Sequence, residues 1–323
     1  MSLGATFDSG ALVALGRYLH DAKYAFTPVT PVTHARVLAR IDQSRDLRDI
    51  FGWNATFEPD RFPREARMLD EANALETCLA STGATLVRSR IRFARFAKQI
   101  YAHSSFPTND RDSVFFGPDT SRFLLSLRSL PPPYGRLVDV GTGSGVAGLC
   151  LSAHARDTLL TDTSPKALAL TRVNMDLNRA GAHVHAVHSD LLEDVHGDFD
   201  TIICNPPFLL DSELRTYRNG GGELGTGLSV ELARQALDRL APGGRFLMYT
   251  GAPIRAGQDP LRLALERLDR RKVVSWRYEE MDPDIFSEQL DEPGYEQVER
   301  IAAVVLSIRI ARARHHQQDS SAG

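Results

Sequence analysis

Five polar or glycine-rich stretches carry residues that could do chemistry. The first is Gly141-Thr142-Gly143-Ser144-Gly145, which follows the apolar run RLVDV and leads into small residues. Glycines at such a junction let the backbone turn tightly and let a ligand approach it closely, although a packing turn would read the same way. Asp162 ends the apolar run TLLTD about 20 residues later, where a carboxylate can accept both hydroxyls of a ribose. Asp190, in HSDLL, holds the corresponding place after a third run. It could face a nucleobase amine or begin a turn with LLED. Asp139 is an acid inside RLVDV, and burying it costs free energy unless it is hydrogen-bonded or paired. It either bonds the glycine-loop amides or faces a cationic ligand. The fifth stretch, Asn205-Pro206-Pro207-Phe208, follows the strand-like Thr201-Ile202-Ile203-Cys204. Two prolines cannot donate to a sheet, so the strand must stop there. The Asn205 side-chain oxygen and the Pro206 carbonyl are hydrogen-bond acceptors with fixed directions. They could hold the N–H groups of a planar amide or aromatic amine, whose delocalised lone pair makes it a poor nucleophile, while Phe208 stacks on its plane. Such groups position rather than deprotonate, and positioning supplies much of a rate.

Positioning them requires a regular scaffold, and from Arg136 onward the chain alternates strand and helix. RLVDV, TLLTD, HVHAV, TIICN and RFLMYT read as strands, and KVVSWRY and RIAAVVLSIRI close the series. Helices are expected over 146–155, over SPKALALTRVNMDLNRAG and over 229–240. In the second of these Ser164 caps the start, Pro165 takes the first turn and Gly181 marks the end. This alternation predicts an α/β fold, a mostly parallel sheet with helices on both faces. LPPPYG, at 130–135, is a rigid lead-in. Residues 1–111 read as a smaller, mainly helical domain. Leu12, Leu15, Tyr18 and Leu19 form a helical stripe, and Thr33 is a candidate cap. FPREARMLDEANALETCLAST keeps helical spacing up to a stop at Gly83, and TLVRSRIRFARF reads as one or two strands.

Acids near the crevice suit S-adenosylmethionine, with its sulfonium and ammonium, better than the pyrophosphate of a dinucleotide. The glycine spacing also departs from GxGxxG. With Asn205-Pro206-Pro207-Phe208 the pattern resembles the class I S-adenosylmethionine-dependent methyltransferases, in the NPP[YF] branch that methylates amino nitrogens. That branch includes the release-factor glutamine methyltransferases and small-domain RNA methyltransferases. The resemblance covers about residues 112–250. Phe116-Gly117-Pro118-Asp119-Thr120 is similar to the RPET segment of the release-factor enzymes, with Gly for Arg and Asp for Glu. The resemblance implies a Rossmann-like seven-stranded sheet over 112–310 and S-adenosylmethionine as cofactor. It implies cofactor contacts from Asp119, Thr120, Asp139, Gly141, Thr142, Gly143, Gly145, Asp162, Asp190 and Asn205, and catalytic roles for Asn205, Pro206, Pro207 and Phe208. The acceptor it implies is a protein glutamine, with an RNA exocyclic amine or a small-molecule amine as alternatives. The N-terminal domain would recognise it.

The remaining features bound these expectations. A net charge of -3 does not mark a basic nucleic-acid binder. Arg88, Arg90, Arg92, Arg95 and Lys98 could still touch phosphates with Phe93 and Phe96, or form a solvated strand face. Cys78, Cys150 and Cys204 show no metal or disulfide spacing. No run reaches a membrane span and no signal-peptide layout opens the chain, so a cytoplasmic protein without membrane or metal partners is expected. The glycine run in Tyr217–Glu223 reads as a lid, a close approach or a plain flexible loop. The acidic stretch 276–290 covers the substrate pocket or only caps the sheet. His34 and His103 are given no catalytic role, and residues 311–323 read as a disordered tail.

Overall fold

The computed structural model describes residues 7–79 and 85–313. The chain opens with helices α1 (Ser9–Asp21), α2 (Pro31–Leu38), α3 (Leu47–Phe51) and α4 (Pro63–Glu71). The Asp8 side chain caps α1, accepting the Ala11 N–H at 2.8 Å. Leu12, Leu15 and Leu19 on its inner stripe are fully buried. Helix α2 is capped by Thr30 rather than Thr33. Pro31 takes the first turn, so the Thr30 side chain is the one placed to accept the Thr33 N–H. The helical spacing after Phe62 gives way earlier than the sequence suggests. Helix α4 ends at Glu71, and Asn73 adopts a left-handed φ of 53°. Strand β1 (Leu75–Leu79) then pairs antiparallel with β2 (Thr85–Ser89). Cross-strand pairing overrides the helix propensity of Ala74-Leu75-Glu76. The expected stop at Gly83 lies outside the described residues. A second hairpin, β3 (Ile91–Phe96) with β4 (Gln99–Ser104), completes the N-terminal region.

Next come α5 (Pro118–Ser126), β5 (Gly135–Val140), α6 (Val146–Ser152), β6 (Ala155–Asp162), α7 (Pro165–Leu177), β7 (Val184–His188) and β8 (Phe199–Cys204). They are followed by α8 (Gly227–Arg239), β9 (Leu240–Ile254), α9 (Pro260–Glu266), β10 (Val273–Asp282) and β11 (Arg300–Ile310). Seven strands form one sheet in the order β10-β11-β9-β8-β5-β6-β7. Pairing is parallel from β9 through β7, and only β11 runs against its neighbours. The result is the Rossmann-like, helix-covered α/β sheet expected from the sequence. The chain winds outward from β5 through β6 to β7, then returns to β8 on the other side of β5. That reversal between β5 and β8 is where such sheets open a crevice at their C-terminal rim.

Helix α7 joins the two regions. Ser164 caps it as expected, accepting the Ala167 N–H at 3.2 Å. It ends at Leu177, not near Gly181. Asn178 Nδ2 donates to Asn174 O and Ile100 O, and Arg179 takes the left-handed turn with φ 54°. Ala167, Leu170 and Val173 share one buried cluster with α1, α3 and the two hairpins. Asn174, fully buried, accepts the Ala102 N–H at 2.7 Å and donates to Ala102 O at 3.0 Å, tying β4 to α7. At the far end Ala311 still donates to Lys272 O, whereas residues 314–323 of the expected tail lie outside the described residues. Among the described residues no helix is long and apolar enough to cross a membrane.

A buried cation lies inside the N-terminal region. Arg92 is almost fully buried; its Nε donates to Ser104 O and its Nη1 to His34 Nδ1 at 3.1 Å. The His34 Nε2–H donates to Trp53 O at 2.8 Å, which fixes the neutral tautomer. Burial first, then the Arg92 charge, pushes the His34 pKa down to about 4. A histidine with a lowered folded pKa takes up protons on unfolding. Its contribution is therefore intact above pH 6.5 and is lost as pH falls toward 4. His103, also buried and also shifted down by burial and Arg92, acts in the same direction. Between pH 7 and pH 5 the His34 linkage alone is expected to cost about 2 kcal/mol of stability. The check is denaturant unfolding at both values. His34→Gln, which keeps a donor toward Trp53, should flatten that slope; an unchanged slope would remove the assignment.

Candidate functional site

The register of the parallel strands places the site. Val140 of β5 pairs with Cys204 of β8 and with Thr161 of β6. Gly141, Asn205 and Asp162 therefore leave three neighbouring strands at one level of the C-terminal rim. All three line one cavity of about 430 Å³. Thr142, Gly143, Asp139, Asp119, Thr120, Asp190, Pro206, Pro207 and Phe208 line it as well. Gly145 lies just outside, as the left-handed residue that starts α6 with φ 80°. The structure thus brings together every residue singled out at the rim except Gly145.

The glycine loop is held from behind and left open in front. The Thr142 N–H donates to Thr161 O at 2.8 Å, and Thr171 Oγ1 and Asn174 Nδ2 of α7 donate to the carbonyls of Gly143 and Ser144. Gly141 has φ +66°, and a Cβ added there would meet nothing within 4 Å. A side chain would fill the open space against this backbone.

Asp139 and Asp162 bond the glycine loop, and Asp119 and Asp190 line the cavity with them. Asp139 Oδ2 accepts the Thr142 hydroxyl at 2.7 Å and the Gly148 N–H at 2.9 Å, so the structural role is real. Burial still pushes its pKa up to about 6, against the pull of those two bonds. Asp162 accepts the Gly143 N–H with Oδ2 and the Ser164 N–H with Oδ1, both at 2.9 Å. Burial raises its pKa too. Asp119, in the first turn of α5, accepts Tyr249 Oη–H at 2.6 Å and pairs with Arg122 at 3.2 Å. Its pKa is likewise raised by burial. Thr120 turns back to accept the Gly117 N–H at 3.3 Å. Gly117 stands where the similar RPET segment has arginine, and a Cβ there would lie 2.3 Å from the Phe115 ring. Phe115 takes that space and stacks on Tyr217 at 5.8 Å between centroids. Asp190 is exposed at the mouth. Its N–H donates to Asp194 and its carbonyl accepts the Glu193 N–H, the turn foreseen as its alternative role. Two buried carboxylates, Asp119 and Asp139, and the half-buried Asp162, all with pKa values raised, line one cavity and favour a cationic ligand there.

Asn205 also lines the cavity. Its Oδ1 is buried and has no hydrogen-bond partner among the described residues. Phe208 packs edge-on against Tyr249 at 6.4 Å and tilted against Phe286 at 6.0 Å. The glycines after Tyr217 form a close approach, and it is to this turn. Gly220 N–H donates to Leu209 O at 2.8 Å, and Leu209 N–H to Arg218 O at 2.9 Å. A Cβ on Gly220 would lie 1.9 Å from Gly225 O, 2.7 Å from Pro207 O and 2.8 Å from Phe208 Cα. These are backbone atoms and cannot swing aside. Gly220→Ala is expected to destabilise by about 1–3 kcal/mol in denaturant unfolding. It should also displace Phe208. Gly257→Ala is the control for backbone strain, since Gly257 has a left-handed φ of 69° and a Cβ there would meet nothing within 4 Å; it should leave Phe208 in place. A Phe208 undisturbed in Gly220→Ala would show that the contact with the Pro207-Phe208 backbone is not what Gly220 provides.

Several wall residues escaped the sequence reading. Phe106 to Asn109 and Ser113 to Phe115 cross from the N-terminal region onto the cavity, with Pro31 beside them. This segment is fastened by Lys166 to Asp112 at 3.1 Å on one side. On the other, the Thr216 N–H donates to Arg111 O and Tyr217 Oη to Thr108 O. Phe286, with a left-handed φ of 57°, reaches the cavity from the acidic stretch, whose acids do not line it. Ile285-Phe286, an apolar pair among acids, was the available signal. The basic stretch does not form one exposed face. Arg88 is paired with Glu76, Arg92 is buried, Arg95 donates to Tyr24 O, and Lys98 is exposed.

Residues 118–259 match the family model of the methyltransferase small domain. This segment, which holds β5 to β9 and the glycine and Asn205 ends of the rim cavity, is similar to that family. Among curated relatives, the release factor glutamine methyltransferase of Deinococcus radiodurans is 33% identical over 160 residues, 44% of this chain and 55% of that one. Ribosomal RNA small subunit methyltransferase C of Chromohalobacter salexigens is 34% identical over 137 residues, 42% of this chain and 38% of that one. The chain thus spans about half the length of the relatives it matches. A crystal structure of Trm5b from Pyrococcus abyssi shares the fold with a TM-score of 0.50 and 13% identity, covering 78% of this chain and 71% of that one.

Proposed function

We propose that the chain methylates a planar nitrogen using S-adenosylmethionine, and that the acceptor is a glutamine side-chain amide of a protein. The observation that carries this reading is the position of Asn205. Its uncommitted oxygen lies on the same cavity as the open glycine loop and the buried acids. Asp162 would hold the ribose hydroxyls and Asp190 the adenine amine. Gly141, Thr142 and Gly143 would cradle the cofactor from the backbone side, with Gly145 fixing the turn into α6. Asp119, Thr120 and Asp139 would line its cationic end. When bound, S-adenosylmethionine supplies a methyl group on a positive sulfur, and the nitrogen that takes it gives up a proton. Asn205 Oδ1 and the Pro206 carbonyl would accept the acceptor's N–H groups and orient its lone pair, Pro207 would keep the turn rigid, and Phe208 would stack on the plane. Residues 112–310 would form the transfer domain, and residues 1–111 would recognise the acceptor.

Glutamine is preferred because the basic stretch 88–98, with Arg88 paired to Glu76 and Arg92 buried, offers no continuous phosphate-binding face. An exocyclic amine of RNA is the second reading, since the ribosomal RNA relative matches this chain as closely as the release-factor relative does. Incubation with labelled S-adenosylmethionine and a cell lysate separates them. Label is expected in protein. Label confined to RNA would replace the acceptor, and no label in any fraction would refute the transfer itself.

A further inference from the structure

Asn205 Oδ1 has a counterpart of opposite hydrogen-bonding character on the same cavity. Arg218 Nε is also buried and without a hydrogen-bond partner among the described residues. The backbone brings it there, because Arg218 O accepts the Leu209 N–H and so lies beside the residue after Phe208. The guanidinium is held by its other atoms. Nη2 donates to Gln289 Oε1, itself buried in the stretch that carries Phe286. Nε forms an ion pair with Asp211 Oδ1 at 3.6 Å, too long for a hydrogen bond, and both Asp211 oxygens accept hydrogen bonds from Arg215. The wall around the Asn205-Pro206-Pro207-Phe208 turn thus holds one acceptor and, on an ion-paired guanidinium, one N–H donor whose hydrogen bonds are unmade among the described residues. A primary carboxamide has the matching pattern, donors on nitrogen and an acceptor oxygen on the same carbon.

We propose that Arg218 donates to the carbonyl oxygen of the acceptor amide, fixing which way round the amide lies, and thereby selects carboxamides over simple amines. This rests on the methyl-transfer reading above. A guanidinium at the carbonyl draws electron density toward oxygen and does not make the nitrogen more nucleophilic. Arg218 is therefore a positioning and specificity residue whose effect falls on KM rather than on kcat. Its planar fork is the relevant property, so lysine should not replace it.

The test measures methyl transfer from labelled S-adenosylmethionine to three probes, a purified release factor, total RNA and spermidine, each over a range of concentrations. The wild-type chain should label the release factor and not spermidine. R218A and R218K should each raise the KM for the release factor by about tenfold or more, as expected for a lost hydrogen bond to a charged group. Their kcat and cofactor Kd should stay close to wild type, while Tm should fall because the buried Gln289 and Asp211 each lose a partner. Q289A, which leaves the guanidinium in place but unanchored, should raise KM less and stay folded if R218A does not. An unchanged KM in R218K and Q289A overturns the proposal alone. So does a lost cofactor affinity, which would place Arg218 on the methyl donor, or spermidine labelled as well as the release factor. Label in RNA instead overturns the carboxamide class. Label in none of the three overturns the methyl-transfer reading and this proposal with it.

Discussion

Asn205→Ala is expected to lower turnover by about 10²-fold, the scale on which losing a positioning contact at a reacting centre is felt. Cofactor affinity by calorimetry should stay within about threefold of wild type. The same substitution should leave stability unchanged or slightly raised. The reason lies in the burial of Oδ1 without a partner among the described residues. A buried, unpaired acceptor costs about 1–3 kcal/mol, and removing it returns part of that cost. A structural asparagine behaves the other way, losing stability and activity together. The measurement is therefore a pair, single-turnover rate and denaturant midpoint on one variant. A midpoint that falls while the rate holds would mean that Asn205 only ends β8. A rate that survives with an unchanged midpoint would remove the residue from the reaction altogether.

Why the rim was legible in sequence and its far wall was not follows from how each is built. Gly141, Asp162 and Asn205 are adjacent because three parallel strands end in register, and strand ends are written locally as apolar runs followed by glycine, acid or proline. Phe115, Phe286 and the Asp119–Tyr249 pair reach the cavity through contacts between segments far apart in the chain. Asp119 and Tyr249 are 130 residues apart, and no local pattern encodes that meeting. The misread helix after Glu71 fails for a related reason. Ala74-Leu75-Glu76 favours a helix on its own, and only the pairing of Leu75 with Ser89 makes it a strand. The end of α7 shows the same competition at one residue. Asn178 finds the Ile100 carbonyl on the docked hairpin, and the helix stops before the glycine that would have stopped it.

The raised pKa values of Asp119, Asp139 and Asp162 bear on what the cavity is for. Each carboxylate accepts hydrogen bonds that favour its charged form, yet burial outweighs them in all three. For Asp139 the sign runs against the usual acid. Its folded pKa of about 6 exceeds that of an unfolded aspartate, so its contribution to stability is lost as pH rises through that range. A cation bound beside it would reverse the shift, and a protein that binds such a ligand recovers part of that free energy on binding.

Asp162→Ala is expected to weaken S-adenosylmethionine binding by about 10²-fold, measured by calorimetry. A carboxylate accepting ribose hydroxyls makes hydrogen bonds to a charged group, worth about 1.5–3 kcal/mol each, and at least one is lost outright. Unlike the Asn205 variant, this one should also lose stability. Its two oxygens hold the N–H groups of Gly143 and Ser164, and alanine leaves both without that acceptor. Of the two, the Gly143 bond is the one made to the glycine loop, so part of the affinity loss would reflect a loop less firmly held in its open form. Asp162→Asn separates the two contributions. It keeps an acceptor for one N–H and turns a donor toward the other, so it should recover some stability while affinity stays low for want of charge. Asp190→Ala, exposed at the mouth, should cost only a few-fold in affinity, because water already competes for its bonds. If Asp162→Ala bound the cofactor as wild type does, the ribose would not lie against β6. The glycine loop and the acids would then be scaffold for the turn at Asn205 rather than the donor's seat.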